Sequence, residues 1–180
     1  AIRANGFTST IGEPMEFDVT PLGGGALENA SPAEVVAFHD ELARVRTMHQ
    51  TAVAQTADAL ERATALKSVL ARTPGAPEGL DARLGAIESD LRALRRDLTG
   101  DPLREELNTP GPVPASERVG FASLGVQYST YGPTPSHVES LAIAERAVTQ
   151  AFARIDGVEA ALREIGAVAN AAGAPWTPGR

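Results

Sequence analysis

Between Val35 and Leu70 the apolar residues return at alternating steps of about three and four. The stripe runs Val35, Phe38, Leu42, Val45, Ala52, Ala59, Ala63, Leu66 and Leu70, with His49 on the same line. Only an α-helix brings such positions onto one face. Ser31-Pro32-Ala33-Glu34 opens the stretch as a capping box with proline in the first turn, and Thr73-Pro74-Gly75 closes it. A helix from there to about Arg72 is a rod of roughly 60 Å at 1.5 Å per residue. Alanine fills the middle of the stripe, so another helix can approach closely there.

Leu80, Leu84, Ile87, Leu91, Leu94 and Leu98 mark a second helix ending at Gly100, and its other positions are mostly charged. Residues 101–113, with Pro102, Pro110 and Pro112, read as a stiff extended linker. A short helix is expected from Ala115 to Gln127, with Val119, Ala122 and Val126 inward. A turn follows over 128–133, and Thr134-Pro135 starts the last helix. Its stripe is Leu141, Ala144, Val148, Ala151, Ile155, Val158, Leu162, Ile165 and Ala169, and Gly173 ends it. The expected fold is mainly α: an elongated up-down bundle of four helices, two long, one medium and one short, with a polar face on each. The bundle would occupy 31–173.

Residues 1–30 differ. Met15, Phe17 and Val19 alternate with Glu16 and Asp18, a period-two strand signal, before Pro21 and Gly23-Gly24-Gly25 break the chain. The expectation is a short β arm on a flexible hinge. A lone strand is not stable in water and needs a partner. At the other terminus, 174–180 cannot be helical, and Trp176 lies between Pro175 and Pro178. A tryptophan so placed either anchors an interface or plugs the end of the bundle. Met15, Phe17, Val19 and Trp176 are therefore the candidate docking residues.

Composition removes most other functions. The 180 residues carry 16 basic and 23 acidic side chains, for a net charge of -7. That disfavours contact with a nucleic-acid backbone or an anionic membrane surface. With no cysteine there is no disulfide, thiolate metal site or cysteine nucleophile. His39 and His49 are ten residues apart, not one helical turn, and His137 opens the last helix, so no metal or cofactor is expected. His49, on the apolar stripe, reads as a core histidine bonded across the seam. The sharper alternative is a pH-sensitive contact. The carboxylates, Glu88 and Asp90 among them, read as a solvated face, and an alanine-rich bundle offers no obvious cleft for acid-base chemistry. Gly23-Gly24-Gly25 lacks the strand, spacing and lysine of a phosphate loop. Catalysis by this chain is not expected. No apolar run reaches the roughly 20 residues of a membrane helix, and the opening residues hold no signal-peptide core. The expectation is a soluble chain, either a fragment or a mature piece of a longer precursor.

The order of elements, together with Leu98-Thr99-Gly100-Asp101, Ser116-Glu117-Arg118-Val119, Tyr131-Gly132-Pro133-Thr134 and the closing Gly173-Ala174-Pro175-Trp176-Thr177-Pro178-Gly179-Arg180, carries a resemblance. From about residue 30 onward the chain resembles the C-terminal region of bacterial exported proteins with a sortilin-type, sialidase-like β-propeller, often labelled glycosyl hydrolases. The resemblance implies an exported location, periplasmic or at the surface, and the chain's own propeller as one partner. An exported helical rod with an apolar arm and a tryptophan tail suits, as a second expectation, an envelope membrane complex. It transfers no catalytic residue, because a hydrolase site would lie in the propeller. Two functions follow as expectations. One is a non-catalytic structural or docking module, with an extrinsic subunit of a respiratory or photosynthetic electron-transfer complex as a candidate form. The other is the accessory domain of a propeller enzyme whose active site lies elsewhere.

Overall fold

The computed structural model describes residues 2–4, 7–9, 12, 13, 15–19, 29–129 and 131–175. Its elements are β1 (Ile2–Ala4), β2 (Phe7–Ser9), α1 (Pro32–Leu70), α2 (Leu80–Thr99), α3 (Pro102–Glu106), α4 (Ala115–Gln127) and α5 (Pro135–Ala171). The chain is a helical bundle with a small antiparallel hairpin near its start, Ile2 opposite Ser9 and Ala4 opposite Phe7.

The helix ends follow local chemistry. Glu34 accepts from the Ser31 backbone N–H at 2.7 Å, and the Ser31 hydroxyl accepts from the Glu34 N–H at 3.3 Å, completing the capping box of α1. α5 ends in a Schellman motif. Gly173 takes φ +80°, its N–H bonds to Asn170 O, and the Ala174 N–H bonds to Ala169 O, both at 3.0 Å.

The core is one seam in three consecutive stretches. At the near end Phe38, Leu42 and Val45 of α1 meet Val119 and Ala122 of α4 and Leu141 and Ala144 of α5. In the middle Ala52 meets Leu94 and Leu98 of α2, Ala115 of α4, and Val148, Ala151 and Ile155 of α5. At the far end Ala59 to Leu70 of α1 meet Leu80, Leu84 and Leu91 of α2 and Val158 to Ala169 of α5. Residue numbers rise together along α1 and α5, so these two helices are parallel. α2 runs back from the far end, and α4 continues in the same direction.

The bundle is therefore up-down-up, three helices thick, with its middle rod built from α2 and α4 in series. The linker between them does not reverse the chain, as a tight helix-helix turn would. Part of that linker, expected to be extended, coils into α3. Asp101 caps it by accepting from the Leu103 N–H at 3.2 Å, with Pro102 in the first turn.

The apolar stripes of α1, α2 and α5 sit where the periodicity puts them, although Val35 and Ile87 are only half-buried. One carboxylate does not stay on a solvated face. Glu88 of α2 is 7% exposed. It is tolerated there because the Thr64 hydroxyl donates to it at 3.0 Å and Lys67 and Arg92 lie 3.6 and 3.5 Å away. Other cross-helix ion pairs flank the seam. Arg44 and Arg62 of α1 reach Glu145 and Glu159 of α5, and Arg154 of α5 meets Asp90 and Asp97 of α2 at 2.5 and 3.1 Å.

Candidate docking surfaces

The arm joins the bundle at the near end. The Ala30 N–H donates to Tyr131 O at 2.9 Å, in the turn between α4 and α5. Gly132 takes φ +86° beneath it, and a Cβ there would fall 2.7 Å from the Ala30 Cβ and 3.1 Å from Val35 Cγ2. Glycine is thus required both for the backbone angle and for the close approach of the arm's root.

Met15, Phe17 and Val19 lie outside any strand, contrary to the alternating pattern. The hairpin is built earlier, from 2–4 and 7–9, and no described strand runs beside 15–19. Without a partner the period-two segment gains no ladder hydrogen bonds. Its three apolar side chains are 86%, 82% and 81% exposed, respectively. Trp176 lies outside the described residues.

A second apolar surface lies on α4, where a polar outer face was expected. Phe121, Leu124 and Tyr128 follow at i, i+3 and i+7 on the side opposite Val119 and Ala122. They are 44%, 44% and 82% exposed, and Val138 of α5 is 50% exposed. The spacing from Phe121 onward was visible in the sequence. It was hidden by the inward stripe on the same short helix, since a helix apolar on two faces has no single periodic signature. The Phe121 ring stacks on His137, with centroids 4.7 Å apart and planes 35° off parallel. The His137 Nδ1 in turn accepts from the Thr134 N–H at 3.0 Å, so it closes the first turn of α5. Gly125 allows this packing: a Cβ there would lie 2.8 Å from His137 Nδ1.

The other polar groups serve mostly structure. His49 is half-buried and its Nε2 pairs with Leu98 O at 2.9 Å, across the α1–α2 seam. Among the described residues no group of three or more potential metal ligands converges. A groove of about 960 Å³ does open beneath the 100–114 segment, where none was expected, because α3 and the prolines hold the linker away from α5. Its arginines are partly committed to the fold: Arg154 pairs with Asp97, and Arg104 donates to Pro110 O at 3.1 Å.

No protein-family model matches the chain, and neither a curated protein nor a solved structure is found to match it.

Proposed function

We propose that this chain is a non-catalytic docking module, a helical rod that presents an apolar arm to a protein partner. The arm carries the reading. Met15, Phe17 and Val19 stand almost fully exposed within five residues. Covering each recovers roughly 1.5–3 kcal/mol. A charge of -7 and the acidic Glu16 and Asp18 among them turn the arm away from anionic lipid and nucleic acid, toward protein.

The resemblance to exported propeller proteins supplies the setting: a periplasmic or otherwise exported location. The partner is then an envelope membrane complex, with a respiratory or photosynthetic electron-transfer complex as a candidate host, or the propeller of the same precursor. No helix among the described residues is long and apolar enough to cross a membrane. In this reading attachment to such a complex uses the arm, with Trp176 as a second anchor.

Gentle detergent extraction from native cells, followed by mass measurement, tests this. The expected result is that the protein carrying this chain stays with a membrane complex through a salt wash. Met15→Ser, Phe17→Ser and Val19→Ser together should release it. Trp176→Ala should weaken the association by about 2 kcal/mol. A native chain found free of any partner would sink the docking reading. A full-length propeller protein running alone would favour the accessory-domain alternative.

A further inference from the structure

The outward stripe of α4 is a second feature, separate from the arm. Phe121, Leu124 and Tyr128 climb two turns, about 10 Å, on the side of α4 turned away from the core. Phe121 also borders a shallow depression shared with Val113 and Ile143. Glu117, on the stripe itself, and Glu139 of α5 border the same depression, and neither makes an ion pair or side-chain hydrogen bond among the described residues. Arg118 at the rim opposes them singly.

An apolar ridge with an acidic rim selects its occupant by charge. The chain's own arm brings Glu16 and Asp18, a second copy brings another net -7, and an anionic bilayer brings phosphate. All three repel. We infer that this face receives an amphipathic helix of another protein, apolar on one side and flanked by lysine or arginine. Such a helix would lay its apolar side chains along Phe121, Leu124 and Tyr128 and bring its cations to Glu117 and Glu139. The inference builds on the docking-module reading but uses a different surface, so each can fail alone.

The test is fluorescence anisotropy with the full chain and a labelled synthetic helical peptide of about 18 residues, a leucine stripe flanked by lysines. A matched peptide carries glutamate in place of each lysine. The basic peptide should bind at least about tenfold more tightly than the acidic one. Leu124→Ser with Tyr128→Ser should cost at least about tenfold, with unchanged thermal unfolding because both side chains are exposed. Glu117→Lys with Glu139→Lys should abolish the preference for the basic peptide, while the triple serine variant of the arm should bind it normally. Equal binding of the two peptides, or binding indifferent to the α4 substitutions, overturns the assignment. So does dimerisation, or flotation with phosphatidylglycerol vesicles, that is lost with Leu124→Ser and Tyr128→Ser. Those results would give the face to a second copy or to lipid.

Discussion

At the residue scale, Glu88 is the one charged side chain that is buried among the described residues. Burial pushes its carboxyl up, but the Thr64 hydroxyl and the Lys67 and Arg92 charges outweigh that, and the net result is below the ordinary 4.5. Glu34 is lowered by the Ser31 backbone N–H, Glu41 by Arg44, and Glu164 by Arg83. A carboxyl depressed in the folded state contributes stability that is present above its unfolded value and lost as the pH falls through its folded value. The midpoint of thermal unfolding should therefore hold steady from neutral pH down toward 4.5 and drop below it. Glu88→Gln should cost about 1–3 kcal/mol at neutral pH and make the acid limb shallower. Two glycines of α4 make a paired prediction. Gly125→Ala drives a Cβ to 2.8 Å from the His137 ring and should destabilise by about 1–3 kcal/mol. Gly120→Ala meets no atom within 4 Å and should stabilise by up to about 1 kcal/mol, since alanine favours the helix. Denaturant titration of both variants reads the difference.

At the element scale, the seam depends on α2, whose leucines face α1 and α5 together. Leu91 is fully buried. Leu91→Asp should cost about 3 kcal/mol or more through an unpaired buried charge, and Leu84→Ala about 2–5 kcal/mol through the cavity it leaves. Calorimetric unfolding that leaves either variant at the wild-type midpoint would misplace the seam. The long helices were legible because each carries one stripe, a cap and a stop; every stripe position read for α5 is buried. Glu88 was not, because its compensation comes from Thr64 and Lys67 on another helix, which periodicity along α2 does not reveal. The hairpin had its own signal, Asn5-Gly6, a dipeptide favoured in tight hairpin turns. The alternation at 15–19 is the longer period-two signal, yet those residues lie outside any strand. The direction of α4 was not readable either: a proline linker can reverse a chain or carry it onward, and packing decides which.

At the scale of the whole molecule, apolar exposure is one-sided. Among the described residues, large exposed apolar side chains are confined to the arm, the 103–113 linker and the near end of the bundle. Among the described residues of the far end, where Leu70, Leu80 and Ile165 close the core, there is none. A monomer with no partner has no need of such polarity. The arm residues could be chosen from the sequence as apolar and unpartnered, but the near-end surface could not, because it is assembled from α4, α5 and the turn between them. The most direct test of the docking account is site-specific photocrosslinking in native cells, with a benzophenone amino acid at Phe17, at Leu124 and, as a control, at the exposed Ala82 of α2 near the far end. The account predicts one partner protein captured from the near-end positions and nothing specific from Ala82. Equal capture from all three, or capture from Ala82 alone, would contradict it.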